Sequence, residues 1–267
     1  MTSDSWNPEQ YDRFREERSQ PFYDLADLVH ARSGMRVLDL GCGSGRLTAW
    51  LHGHLGAGET LGVDSSPSML RDSADYADAE QGIQFVEADL ADYTPDGQFD
   101  LIFSNAALQW LPDHAALFAR ISRWVAPGGQ LAVQMPANFG HPSHRTAAEL
   151  AAEPPFADAL DGWVRVDPVG PPEDYSVLLA ALGLRANDVR PSPHVRQQIY
   201  LHELERSLDV LQWVKGSLLT AYERRMSAVL FGEFVERYEQ RLLRDLGDQR
   251  PYLYPFKRLL LWGQRPG

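Results

Sequence analysis

The sequence predicts an α/β fold: a doubly wound, mostly parallel sheet of seven strands, with a helical insertion in the C-terminal part. Three observations carry this. Met35 to Leu40 is a short apolar run bounded by Gly34 and Gly41, which reads as a buried strand. The loop Gly41-Cys42-Gly43-Ser44-Gly45 follows, and Arg46 to Leu51 then takes up helical character. Further strand-then-helix units with short connections succeed it, and such units wind a parallel sheet right-handedly.

Taken in order, Thr60 to Asp64 reads as the second strand. Ser66 is a good N-cap and Pro67 suits the first helical position, so a helix is expected from there to about Ala79. Ile83 to Glu87 is the third strand and Phe99 to Ser104 the fourth. Pro112-Asp113-His114 opens a helix through Trp124, and Pro127-Gly128-Gly129 turns the chain into a fifth strand, Gln130 to Met135. Asp174 to Leu182 reads as a helix ended by Gly183, Val195 to Tyr200 as a sixth strand and Arg258 to Trp262 as the closing one. Between these two, Glu203 to Leu246 is helical in period, with Leu208, Leu211, Val214 and Leu218 on one stripe and interruptions expected near Gly216 and Gly232. Near the start, Tyr11, Phe14 and Arg18 lie at helical spacing and share one face, either that of an amphipathic helix packed on the domain or, since an Arg on an aromatic face is unusual for a plain core helix, one with a further role. Pro21 is expected to break that helix, and a second to run from Phe22 to Ala31. Residues 136–173 hold seven prolines with His141, His144 and Arg145, and read as a long lid or substrate loop. Three segments follow: 1–32 closing over the site, 33–136 as the nucleotide-type core, and 137–267 with lid, cap helices and last strands, all within one catalytic domain.

Composition narrows the function. A net charge of −12 disfavours nucleic acid as a general partner, and no run of Lys/Arg with aromatic residues occurs. No apolar run approaches the ~20 residues of a membrane span. One cysteine, Cys42, excludes an internal disulfide and fits a reducing, cytoplasmic setting. The polar, acidic N-terminal residues lack a signal-peptide layout. His141 and His144 lack the companions that would complete a metal site.

Strand, glycine loop, helix is the layout of a nucleotide-type cofactor site. Two details argue against a dinucleotide. The glycines run Gly-x-Gly-x-Gly, so the third comes one residue early. Asp39 also ends the strand just before the loop. A pyrophosphate on the helix N-terminus would meet that carboxylate, and two like charges ~4 Å apart cost about 4 kcal/mol at an effective dielectric of ~20. A cationic cofactor gains from the same geometry. The pattern Asp39-x-Gly41-x-Gly43-x-Gly45 closely resembles the first motif of class I S-adenosylmethionine (SAM) methyltransferases, whose Rossmann-like sheet is the one expected here. Downstream, Asp64 ends a strand about 20 residues past the loop, where an acid can accept both ribose hydroxyls. Asp89, just past the third strand, either accepts from an adenine amino group or is a solvated loop residue. Asn105 falls at the carboxyl end of the fourth strand, where open α/β sheets bind ligands.

Over nearly its whole length the chain resembles the trans-aconitate methyltransferases. The matches are Trp6-Asn7-Pro8 with Tyr11, Phe14, Glu17, Arg18 and Pro21; Gly62 to Pro67; Phe85 to Asp89; Asn105 to His114; and Leu131 to Pro136. The resemblance implies SAM as cofactor and S-adenosyl-L-homocysteine as product. It implies that Tyr11 and Arg18 close over the methionine moiety, that Asp39, Gly41, Gly43 and Gly45 hold it, that Asp64 takes the ribose, and that Ser65 and Met69 also bind the cofactor. Asp89 and Leu90 would meet the adenine, and Asn105 and Ala106 the region of the sulfonium. Trp110, His114 and Gln134 would face the acceptor, a small-molecule carboxylate. Arg145, Trp213, Lys215 and Arg258 are the further candidates for it. No residue is expected to act as an acid or base; Asn105, Trp110 and His114 would position, in a monomer or weak homodimer. The chain departs from the pattern after Gly216, where Ser217-Leu218-Leu219-Thr220 replaces the usual Gly-Leu-Arg-Pro and a basic residue is missing. Three rivals remain: a methyltransferase for another acid, amine or carbon; a SAM-binding protein without turnover; and, disfavoured by Asp39, a dinucleotide-dependent reductase.

Overall fold

A computed structural model describes residues 15–163, 165–186 and 192–267, with side chains from Ser19 onward. The strands are β1 (Arg36–Leu40), β2 (Glu59–Asp64), β3 (Ile83–Glu87), β4 (Phe99–Asn105), β5 (Val125–Pro136), β6 (His194–Leu204) and β7 (Tyr252–Gln264). They form one sheet in the order β3-β2-β1-β4-β5-β7-β6. Strands β1 to β5 pair in parallel, and β7 runs antiparallel to β5. The chain reverses its winding direction between β1 and β4, the switch point at which such sheets bind ligands.

The chain divides into two compact units, one holding Ser19–Ala137, Pro168–Gln198 and Arg258–Gly267, the other Asn138–Asp167 and Ile199–Lys257. In the first, or sheet unit, α1 (Arg15–Ala26, from Ser19 onward), α2 (Arg46–Leu55), α3 (Pro67–Ser73) and α4 (His114–Ser122) alternate with the strands. The helix after Ser66 ends at Ser73 and tightens into a 3-10 turn to Tyr76, short of the expected Ala79. Helix α1 corrects a further expectation, because Pro21 lies inside one continuous helix. An interior proline costs ~3 kcal/mol. Burial on both sides of it offsets that: Ser19, Phe22, Leu25 and Ala26 are buried, and the Phe22 ring packs 4.9 Å from that of Phe103.

The second unit is helical. It contains α5 (Pro142–Ala151), α6 (Phe156–Ala159), α8 (Asp209–Val214), α9 (Thr220–Glu223) and α10 (Ala228–Leu246), while α7 (Pro172–Ala181) belongs to the sheet unit. Residues 136–173 are therefore not the irregular loop expected. Pro142 starts α5 rather than breaking it, with His141 as the cap accepting from Ser143 N–H. His141 also meets the Tyr252 hydroxyl at 3.1 Å, and burial pushes its pKa down to about 4 and that of His144 to about 3. Gly232 does not interrupt α10, because Phe234, Tyr238, Leu242 and Leu246 bury one stripe of that helix. Gly216 does fall at an irregularity, a π-turn over Lys215–Leu219.

Phe234 is the centre of this core, its ring 5.0 Å from Tyr222 and 5.1 Å from Phe156. Phe234→Ala is expected to cost about 3–5 kcal/mol. Denaturant unfolding checks this, with the loss carried by the midpoint rather than the slope.

Candidate cofactor and acceptor site

Register fixes which residues meet. Asp39 pairs with Gly62 and Phe103, Asp64 with Glu87, and Asn105 with Gln134. The carboxyl ends of four parallel strands thus place Asp39, Asp64, Asn105 and Gln134 along one edge of the sheet unit.

The loop after β1 is shaped by close approach. Gly41, Gly43 and Gly45 have φ of 81°, 57° and 76°, a region that side chains resist. A Cβ on Gly41 would lie 2.2 Å from the Ala107 Cβ, and one on Gly43 2.8 Å from the Met69 methyl. Gly43 N–H donates to Asp64 at 2.9 Å, and Ser66 N–H donates to the other oxygen of the same carboxylate at 2.9 Å. Asp64 is thereby oriented at the loop, and each oxygen keeps a lone pair for a ligand hydroxyl.

Asp39 is almost wholly buried, at 3% exposure. Its carboxylate accepts from the Thr48 hydroxyl of α2 at 2.6 Å. Burial drives its pKa up to about 7, the Thr48 bond opposes the rise and Asp64 adds to it. Among the described residues no Lys or Arg pairs with Asp39 or Asp64. Two carboxylates therefore share one loop, and no cation among the described residues pairs with them. Burial and these carboxylates push the Cys42 thiol well above its ordinary range, which suits a filler rather than a nucleophile.

At the ends of β4 and β5 the structure leaves amide groups without partners. Asn105 Oδ1, Gln109 Oε1 and both polar atoms of Gln134 are buried and make no hydrogen bond among the described residues. Buried amide atoms are normally paired, and these await a ligand or water. The donor set fits SAM: carboxylates for cationic and hydroxyl groups, bare loop backbone for close approach, and unspent amides at the crevice.

The remaining expected residues divide. Ser65 is exposed and Met69 half-buried against Gly43. Asp89 is exposed and accepts from Ala91 N–H at 2.8 Å; the Leu90 carbonyl accepts from the Arg120 guanidinium. Ala106 takes a left-handed φ of 55°. Trp110 is 56% exposed, and Arg258 is buried in β7 opposite Pro136. Tyr11 lies outside the described residues, and of Arg18 only the helical backbone is described. Trp213 and Lys215 belong to the helical unit, Trp213 with its ring 4.6 Å from His202 and Lys215 exposed.

Two expectations are corrected. Arg145 is an exposed helix residue paired with Glu149 at 3.5 Å and Asp245 at 3.6 Å, so its charge is already matched by two acids. His114 does not present a free ring nitrogen, since Nδ1 meets the Tyr175 hydroxyl and Nε2 the Leu108 carbonyl. Sequence reasoning missed Thr48, Gln109 and Tyr175. Gln109 stands inside a quoted motif, but nothing in sequence spacing joins Tyr175 to His114 across 61 positions.

Gly41→Ala should abolish SAM binding by calorimetry, because the added methyl meets both a forbidden φ and Ala107. Pairing it with Ala107→Gly removes the clash but not the strain, so only partial recovery is expected.

Comparison with known proteins gives the family and the fold. A family model described as a methyltransferase domain matches residues 37–129, from β1 into β5. The trans-aconitate 2-methyltransferase of Deinococcus radiodurans is 38% identical over 98% of this chain and 99% of its own. That of Methylobacterium nodulans is 37% identical over 97% of this chain and 98% of its own. Among solved structures, the YcgJ protein from Bacillus subtilis has a TM-score of 0.57 at 14% identity, over 92% of this chain and 98% of that one, which supports the fold. With relatives this similar along its whole length, the chain belongs to the trans-aconitate 2-methyltransferase family of SAM-dependent methyltransferases.

Proposed function

We propose that this chain esterifies trans-aconitate, transferring the methyl group of SAM to a carboxylate oxygen. The observation that carries the cofactor side is the pair of carboxylates at the glycine loop, Asp39 and Asp64, which no Lys or Arg among the described residues neutralises. When bound, SAM supplies a methyl carbon made electrophilic by a positive sulfur and leaves as S-adenosyl-L-homocysteine. In our reading the loop backbone and Asp39 hold the methionine end. Asp64 takes the ribose, with Ser65 and Met69 beside it, and Asp89 and Leu90 lie toward the adenine. Tyr11 and Arg18 would complete the methionine side.

The acceptor needs no general base, because a carboxylate with a pKa near ~4 is already ionised at neutral pH. Its oxygen would take the methyl group through a lone pair while the C–S pair stayed with the departing sulfur, so no side chain would need to move a proton. Catalysis then rests on alignment, worth up to ~7–11 kcal/mol for well-oriented groups. Asn105, Trp110 and Gln134 are assigned that task. Because the two charges cancel as the methyl passes, exclusion of water also favours the step. Arg258 is the favoured partner for a non-reacting carboxylate, by the planar fork of its guanidinium. Trp213 and Lys215 are secondary candidates. The working form is proposed to be a monomer or weak homodimer, cytoplasmic, without nucleic-acid or membrane partners. Among the described residues no helix is long and apolar enough to cross a membrane.

Two outcomes follow. A buried carboxylate titrating at about 7 is half protonated there in the free protein. A cation beside it favours the ionised form, so SAM binding releases a proton near neutrality and its affinity declines as pH falls below 7. Calorimetry in buffers of different ionisation enthalpy should show that release in the wild type and its absence in Asp39→Asn. In turnover with labelled SAM, trans-aconitate should be methylated well ahead of citrate and cis-aconitate. Arg258→Ala should raise its KM by about 10–100-fold, the worth of a charge-assisted hydrogen bond, at unchanged SAM affinity. Equal KM values would remove Arg258 from the site, and silence toward all three acids would reject the substrate.

A further inference from the structure

The loop after β4 is held in a conformation it would not keep alone. Between Asn105 and His114 two non-glycine residues, Ala106 and Asp113, have positive φ, 55° and 49°. Such conformations persist only where surrounding contacts over-determine them. Inside the loop, the Gln109 amide donates to the Ala106 carbonyl at 2.6 Å. At its end, the His114 ring meets the Leu108 carbonyl at 3.1 Å and the Tyr175 hydroxyl. Tyr175 comes from α7, more than thirty residues past β5 in the chain.

The proton positions in this chain are fixed by chemistry. A carbonyl only accepts, so His114 Nε2 carries the hydrogen toward Leu108. A neutral imidazole has one N–H, so Nδ1 accepts, and the Tyr175 hydroxyl donates to it. The Tyr175 oxygen in turn accepts from Gly170 N–H at 3.3 Å. Donation thus runs in one direction, from Gly170 through Tyr175 and His114 to Leu108. Burial lowers the His114 pKa and favours the neutral ring that this order requires. Phe118 packs against both rings, 5.9 Å from His114 and 5.6 Å from Tyr175. Tyr175 is buried, at 3% exposure, so its hydroxyl has no bulk water to turn to.

We propose that Tyr175 is a positioning residue for methyl transfer: through His114 it fixes the loop that presents Asn105 and Trp110. This rests on the assignment of that loop to the sulfonium and acceptor side. It gives His114 a role different from substrate contact. It also ties the segment between β5 and β6 to the chemistry of the sheet edge.

Tyr175→Phe keeps the ring packing and removes one hydroxyl. His114→Gln can keep an N–H toward Leu108 while losing the link to Tyr175. Amide hydrogen exchange without any ligand should show Ala107–Leu111 exchanging about fivefold faster or more in Tyr175→Phe, with the melting temperature nearly unchanged. In turnover, kcat should fall about tenfold while calorimetric SAM affinity stays within about twofold, since a small misplacement costs alignment more than binding. In the His114→Gln background, Tyr175→Phe should add less than about twofold, because the link is already broken. Unchanged loop exchange, or a kcat loss that multiplies independently in the double variant, would overturn the proposal. A kcat loss that merely follows reduced SAM affinity or reduced melting temperature would also do so. If the wild type instead fails to methylate trans-aconitate while the exchange effect is present, the substrate assignment fails and the structural link stands.

Discussion

One buried carboxylate sets the terms for the rest of the site. Asp39 sits at the end of the first strand, out of water, with a single hydroxyl as partner and a second carboxylate nearby. A charge so placed is costly unless something of opposite sign arrives. The glycines beside it let a guest reach the backbone, and the helix that follows offers the Thr48 hydroxyl. Phosphate is the wrong guest for this loop, although loops of similar outline hold it elsewhere. Burial instead holds Asp39 about half protonated near pH 7 in the free protein, and a cation beside it would favour the ionised form.

The acceptor side works by a different shortage. At the ends of β4 and β5 the protein buries amide atoms that find no partner among the described residues. Such groups are neutral, so they can orient a carboxylate without quenching its nucleophilicity by full ion pairing. The formal charge for holding a polyacid must come from elsewhere. Arg258, the residue proposed for that, lies in β7 beside the strand that carries Gln134. After Gly216 this chain has Ser217 to Thr220, and Leu218 and Leu219 there are buried in the core of the helical unit.

Much of this was legible in the sequence because it is local. A strand that ends in an acid, a glycine loop and a helix read the same way in one dimension as in three. So did Asp64 before its Ser66-Pro67 cap, and the third strand at Ile83–Glu87. Proline misled in two places for one reason. Its penalty depends on position within a turn and on what the neighbouring side chains bury, which a count of prolines does not reveal. Pro142 begins a helix, and Pro21 is carried inside one by the packing of Phe22 and Leu25. Arg145 looked available because its acid partner Asp245 is a hundred residues away. His114 looked like a ligand for the same reason, since the hydroxyl that occupies it comes from a distant helix.

The account depends on the sign of charge that the glycine loop accepts. Titration of the protein with SAM and with NADH, each alone and each against the other, tests this directly. Heat of binding for SAM, none for NADH, and no displacement of SAM by NADH is the predicted result. NADH binding in competition with SAM at comparable affinity would contradict it.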